Sequence, residues 1–210
     1  MTITLDTLAD AITRANAAMA TLTDRLNAAD AQLGDGDTGT MLARLIGALA
    51  GVDLRHADNL GAGFMALAKA GAASTGSSLG TLIVTAMMTA GKASVGKSAL
   101  DWSELSGLIA AIRDAAMARG KAELGAKTII DGLDALARGL AGKNDARSVA
   151  VAAQEAMDAA LAEFRQRPSA MGRARMFAEK SVGLDDPGML ALAEIIRILA
   201  APQHDREPLA

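Results

Sequence analysis

Within Leu33-Gly-Asp-Gly-Asp-Thr-Gly-Thr-Met-Leu42, Asp35 and Asp37 stand one residue apart among glycines, directly before an apolar run. Ionised aspartate presents only acceptor oxygens, which suit a hard cation such as magnesium, and glycine lets the backbone turn sharply and approach a ligand closely. The spacing of Met41, Leu42, Leu45, Ile46 and Leu49 predicts a helix over about 38–50. Its first amides and positive dipole end would face the carboxylates, which makes this a place for an anion bridged by metal. Asp30 brings a third carboxylate within eight residues. Like charges so crowded repel each other, and a bound cation is the natural compensation. An isolated Asp-Gly-Asp is more often a plain turn. A calcium-binding EF-hand loop is excluded, because counting from Asp35 puts Ile46 at the twelfth position, where a bidentate glutamate is required.

Two further glycine-rich strings compete for attention. Gly91-Lys-Ala-Ser-Val-Gly96-Lys97-Ser98 matches the P-loop string G-x-x-x-x-G-K-S, which would make the chain a P-loop nucleotidase. That chemistry needs a strand before the loop and a helix starting at the Lys-Ser end. Residues 81–90 have a β-branched half, yet no second parallel strand is evident and the next helix starts at about Asp101, so a solvated inter-helix loop is the preferred reading. Gly71-Ala-Ala-Ser-Thr-Gly-Ser-Ser-Leu-Gly80-Thr81 offers hydroxyls and amides to a phosphate or a base, or else forms a small-residue linker or close helix contact.

The elements that must hold these residues are helical. Of 210 residues, 51% are hydrophobic and only 2% aromatic, there are four prolines, and Ala, Leu, Met and Ile dominate, a helix-forming composition long enough for a sizeable core. Helical spacing recurs at Leu5, Leu8, Ile12; Leu105, Leu108, Ile109, Ile112; and Ile129, Ile130, Leu133, Leu136. Seven or eight helices are expected, over about 4–26, 38–50, 55–70, 78–91, 101–118, 123–141, 146–166 and 187–200. Asp101-Trp-Ser-Glu104 and Asp186-Pro187 are helix starts. Short connections favour antiparallel neighbours, hence an all-α, single-domain up-and-down bundle over residues 1–210. The net charge of -3 gives no footprint for nucleic acid, and the absence of cysteine removes disulfides and thiolate–metal chemistry. No segment reads as a signal peptide or a membrane span, so a cytoplasmic location is expected.

Four blocks in order resemble the nucleotide-binding (L) subunit of bacterial dihydroxyacetone kinases. They are Asp30 with Leu-Gly-Asp-Gly-Asp-Thr-Gly-Thr; the Ser-Thr-Gly loop ending in Leu79-Gly80-Thr81; Arg119-Gly-Lys-Ala-Glu-Leu-Gly-Ala-Lys-Thr-Ile129; and Gly172-Arg-Ala with Glu179-Lys-Ser-Val-Gly-Leu-Asp-Asp-Pro-Gly188. The resemblance implies an eight-helix antiparallel barrel with ADP or ATP and two magnesium ions in the loops at one end. It assigns metal binding to Asp30, Asp35 and Asp37, which would act catalytically through the bound magnesium. It assigns nucleotide contacts to Thr38, Gly39, Thr40 and Met41, to Ser74, Thr75 and Gly76, to Gly120 and Ile129 flanking the base, and to Arg173, Asp186, Pro187 and Gly188. Lys121 and Lys127 read as solvated neighbours, and Arg173 as a phosphate contact or an ordinary surface ion pair. Thr38 stands where many family members carry His, Ala72-Ala73 where they carry Gly-Gly, and Ala126 where an acidic residue is common. Asp-Gly-Asp-Thr-Gly-Thr is also similar to the kinase domain of bacterial fatty-acid kinases, which widens the acceptor class; those proteins carry further domains, whereas a single domain without a following one is the expectation here.

The implied reaction is phosphoryl transfer to a short keto-sugar held on a separate K subunit, with either free ATP or a phosphotransferase-system protein as donor. No general base is apparent: His56 lies in a charged segment and His204 in the polar tail. A non-catalytic module that presents bound nucleotide to a regulatory partner is the alternative from another class.

Overall fold

Apolar residues recurring every three to four positions build eight α-helices among the described residues, 2–201 of this computed structural model. They are α1 (Leu5–Asp30), α2 (Thr38–Ala50), α3 (Leu60–Ser74), α4 (Ser78–Ala93), α5 (Leu105–Gly120), α6 (Ile129–Gly139), α7 (Ala146–Arg165) and α8 (Pro187–Ala200). Side chains of Thr4, Asn59, Ser77, Thr128, Asp145 and Asp186 accept from first-turn amides of α1, α3, α4, α6, α7 and α8, satisfying donors that no helical carbonyl can reach. Among the described residues the extended pairing is an isolated antiparallel bridge between Ile3 and Leu100. No described helix is long and apolar enough to cross a membrane.

Each helix packs against the next, and α8 returns onto α1, closing an eight-helix ring. The neighbours run antiparallel. Asn27 near the end of α1 exchanges hydrogen bonds with Thr40 at the start of α2, at 2.9 and 3.1 Å. Arg14 reaches the carbonyls of Ile198, Leu199 and Ala201 at the far end of α8. The main core joins α1, α2, α6, α7 and α8 through residues such as Leu26, Leu45, Met157 and Met189. Because the ring is up-and-down, the N-termini of α2, α4, α6 and α8 share one end with the connections 31–37, 75–77, 121–128 and 166–186. His56, exposed and ion-paired with Asp53, belongs to the α2–α3 connection at the other end, roughly 20 Å away along α2. His204 lies outside the described residues.

Several expected boundaries move for local reasons. α1 continues to Asp30 instead of ending near 26, because nothing in Asn27-Ala-Ala-Asp30 breaks a helix. The third helix starts at Leu60 rather than about 55: Leu54–His56 forms a separate 3-10 turn capped by Asp53, and Asn59 caps α3. The fifth starts at Leu105, after a 3-10 turn at Trp102–Glu104 that the Asp101/Glu104 pair initiates. The sixth starts at Ile129 rather than 123, since Lys121, Gly125 and Lys127 all have positive φ, which a right-handed helix excludes. The P-loop reading also falls. Gly91 and Lys92 lie inside α4, so a helix and not a strand leads into the string, and Lys97 Nζ is committed to Glu104 at 2.5 Å.

The α1–α2 approach depends on Gly39: a Cβ there would collide with the Thr23 carbonyl oxygen and lie 2.9 Å from Asn27 Oδ1. Backbone cannot move aside as a flexible side chain can. Gly39→Ala is therefore expected to lower unfolding free energy by about 1–3 kcal/mol in urea titrations, as overpacked contacts do, and an unchanged midpoint would refute the close approach.

Candidate metal and nucleotide site

The meeting of α1 and α2 brings Asp30, Asp35 and Asp37 together, each with one carboxylate oxygen within 4.8 Å of the others'. Asp30 is 8% exposed and sits at the carbonyl end of α1, whose last turn holds no basic residue. A helix C-terminus disfavours negative charge, so this placement favours a cation. Its Oδ2 accepts from the amides of Asp37 (3.0 Å) and Thr38 (3.2 Å), and so does the capping of α2 from outside. Asp37 occupies the N-cap position yet makes no capping bond with its own side chain. Its carboxylate is left to face outward. The glycines make this possible: Gly36 has φ +76, and a Cβ at Gly34 would overlap Asp30 Oδ1. Acceptor-only oxygens, close spacing and local negative excess together fit a hard divalent ion.

The expected phosphate-facing amides are partly committed within the protein. Those of Thr38, Thr40 and Met41 donate to Asp30 Oδ2, Asn27 Oδ1 and the Asp37 carbonyl. The Thr40 hydroxyl accepts from Asn27 Nδ2 at 2.9 Å and keeps its own proton for a further acceptor. Arg173, exposed on a 3-10 segment (Arg173–Phe177), forms an ion pair with Asp35. Its guanidinium thus lies at the carboxylate cluster, where it can meet anionic oxygens in a charge-assisted bond.

A second group meets at the starts of α4, α6 and α8. A Cβ on Gly188 would lie 3.4 Å from Ile129 Cβ and 3.7 Å from Leu79 Cδ1, and one on Gly120 would lie 3.8 Å from Leu82 Cδ2. These are ordinary van der Waals separations from apolar side chains, with the Asp186 carboxylate oxygen nearest to a Cβ on Gly188 at 3.2 Å. Between the two groups in sequence, Ser74 Oγ donates to the Gly71 carbonyl at 3.0 Å, and Thr75 turns its hydroxyl over Gly80. Gly76 has open space beside it. Ser74 belongs to the last turn of α3 and Ser77 caps α4, so the linker expected over 71–80 shrinks to 75–77.

Sequence reasoning missed the residues that hold these loops. Lys127 is not solvated: it is 1% exposed, and its ammonium donates to the carbonyls of Arg165 (3.4 Å), Arg167 (2.8 Å) and Ser181 (2.6 Å). Asp131, also buried, accepts from the amides of Gly125 (2.6 Å) and Thr128 (2.8 Å) and so pins the 121–128 loop to α6. The Thr128-x-x-Asp131 spacing was a readable capping-box signal; the Lys127 contacts had none.

Asp186 caps α8 by accepting from Met189 N at 2.8 Å. Burial pushes its carboxyl up to about 6, against the amides of Met189 and Gly188 and the Lys127 ammonium, which favour the ionised form. The folded chain then binds more protons than the unfolded chain between 3.8 and about 6, so this group's contribution to stability falls as pH rises through that window. Asparagine caps as well as aspartate and does not titrate. Asp186→Asn should therefore gain on the wild type by about 1–3 kcal/mol between pH 4 and pH 7 in paired urea titrations. A gap that moves the other way would refute the assignment.

Residues 32–201 match the DAK2 domain. Among solved structures, the native form of the dihydroxyacetone kinase of C. freundii matches with a TM-score of 0.71 and 26% identity over 91% of this chain. The C. freundii enzyme in complex with AMP-PNP and Mg2+ matches with a TM-score of 0.66 and 24% identity, again over 91%. Each match covers 33% of that chain, so the present chain spans about a third of the length of either. No curated protein matches. The domain match runs from just after Asp30 through α8, taking in Asp35, Asp37, Arg173 and the Asp186-Pro187-Gly188 turn, and it agrees with the all-α ring found here. The chain belongs to the DAK2 domain family.

Proposed function

We propose that the chain is, as a single domain, the magnesium- and nucleotide-binding subunit of a kinase for dihydroxyacetone or a similar short keto-sugar, acting on substrate held by a separate K subunit. The observation that carries it is the carboxylate triad, with oxygens within 4.8 Å, set at the start of α2 and joined by Arg173. The kinase family relationship supports a phosphotransferase, and the complex of the C. freundii enzyme with AMP-PNP and Mg2+ supports a magnesium-bound nucleotide as the ligand.

In this reading Asp30, Asp35 and Asp37 hold two magnesium ions. When bound, the metal would supply positive charge against the negative charge that spreads over the transferred phosphoryl group in a loose transition state. Asp30 fixes the geometry by tying α1 to α2, while Asp35 and Asp37 supply outward oxygens. Thr38 to Met41, with the Gly39 amide and Thr40 hydroxyl foremost, and Ser74, Thr75 and Gly76 line the phosphates. Arg173 meets the terminal phosphate oxygens. Gly120, Ile129 and the Asp186-Pro187-Gly188 turn enclose the base. Positioning and electrostatics suffice for such a reaction, and His56 is held at the opposite end by Asp53. The acceptor's activation belongs to the K subunit, and the phosphoryl donor is ATP or a phosphotransferase-system protein.

Calorimetry with ADP and ATP, with and without magnesium, tests this directly. Wild type should bind only with magnesium, and Asp35→Ala/Asp37→Ala should bind at least ~100-fold more weakly, since even groups that merely support metal ligands are worth about 10–100-fold. Lys97→Ala should bind like wild type. Transfer to dihydroxyacetone should then appear on adding a K subunit. Binding that survives loss of both aspartates overturns the site, and binding without transfer favours the regulatory module.

A further inference from the structure

Lys127 is a cation in the protein interior with no ion pair among the described residues, and its backbone lies in the left-handed region at φ 59. Both features are unfavourable for lysine: a buried charge needs compensation, and that backbone conformation favours glycine or asparagine. The direct compensation is backbone, with the Asp186 and Asp185 carboxylates acting on the ammonium from beyond ion-pair distance. An ammonium has three protons, and here it finds three carbonyl oxygens, from Arg165, Arg167 and Ser181. The first belongs to the last residue of α7, and the third lies shortly before α8. The ammonium thus closes a loop of residues 167–181 at its base, and Arg173 is carried on that loop. Neighbouring bonds follow the same line: Ala170 N donates to the Ala126 carbonyl at 3.0 Å, Ser169 N to Ser181 Oγ at 2.7 Å, and Gly183 N to the Arg165 carbonyl at 2.7 Å. On the other side, the Thr128–Asp131 box holds Lys127's own loop to the start of α6.

Resting on the magnesium–nucleotide reading above, we propose that Lys127 is the positioning residue that seats the 167–181 loop, and through it Arg173, at the carboxylate cluster, so that nucleotide retention depends on an ammonium that never touches the nucleotide. Arg173 has no other fixed partner than Asp35 in the described contacts, and it stands on an exposed 3-10 segment. Its approach to the cluster is therefore set by where the loop's base is anchored. A long side chain from the α6 side is what spans the two ends of that base.

The test uses Lys127→Met, Arg173→Ala, the double variant, and Lys127→Cys. The chain has no cysteine, so alkylation of that variant in denaturant with bromoethylamine, followed by refolding beside a refolded wild type, rebuilds a lysine-like ammonium at one place only. Iodoacetamide gives the neutral control. In Lys127→Met, amide exchange should rise within 168–181 while α1 and α2 keep their protection. ADP affinity in magnesium should fall by about 10–100-fold, the scale for groups that orient a metal site from outside. The double variant should bind no more weakly than Arg173→Ala alone, because the two residues act as one unit. Aminoethylation of Lys127→Cys should restore both readouts, and carbamidomethylation neither. Unchanged exchange and affinity in Lys127→Met overturns the proposal, as do losses that multiply in the double variant. Global unfolding of Lys127→Met and Lys127→Cys, reversed by aminoethylation, also overturns it, in favour of a fold-wide role. If wild type itself binds no magnesium nucleotide, the functional reading fails first, and the exchange data alone decide whether Lys127 seats the loop.

Discussion

The site rests on the two hydrogen bonds that Asp30 accepts from the amides of Asp37 and Thr38. A helix start has donors that something must satisfy, and the N-cap side chain normally does it. Here the carboxylate at the end of α1 performs that task for α2, and this has two results. The chain between the helices is drawn into a tight corner, with Gly34 and Gly36 required by space and by φ. Asp37, relieved of capping, keeps its oxygens outward beside those of Asp35. A carboxylate bound into the fold thereby sets the geometry of two that are not.

Ring topology supplies the rest. In an up-and-down ring every second helix starts at the same end, so α4, α6 and α8 begin at the end of the ring where the carboxylate cluster sits at the start of α2. The residues at those starts come from positions as far apart as Leu79, Ile129 and Gly188, and the first two come within van der Waals reach of a Cβ on the third because their helices begin at the same end of the ring. The loops at this end carry more than connection. The 166–186 segment, fastened by Lys127 and by the two-pronged pair of Arg165 with Asp185, folds back over the end of α7 and offers Arg173 to Asp35.

What was legible in the sequence was local. Asp-x-Asp among glycines, the Asp101/Glu104 and Asp186-Pro187 helix starts, and the 3.6-residue spacing all act through near neighbours, and each appears in the structure where its letters stand. The third helix was misplaced because Leu54, Arg55 and His56 keep a helix-like turn that Asp53 caps on its own, so composition alone could not tell a 3-10 turn from the first turn of a long helix. Lys127 was misread for a deeper reason. Its acceptors lie 38, 40 and 54 residues away, and they are backbone carbonyls, which leave no trace in side-chain identity. A cation that pairs with main chain looks, in one dimension, like any surface lysine.

The P-loop string and the aspartate corner make the same point from opposite sides. Both are short, glycine-bearing and suggestive of phosphate, and the P-loop string is the more specific as a pattern of letters. Its chemistry needs amides that converge on one point from a strand-to-helix turn, and Gly91 inside α4 cannot supply them. The aspartate corner needs only a helix end, a helix start and a sharp reversal between them, and antiparallel neighbours in a ring provide those at every second connection. The weaker string therefore had the better physical prospects once the chain was seen to be helical throughout. A binding motif is a demand on the backbone before it is a set of side chains, and this all-α ring meets the demand of one and not of the other.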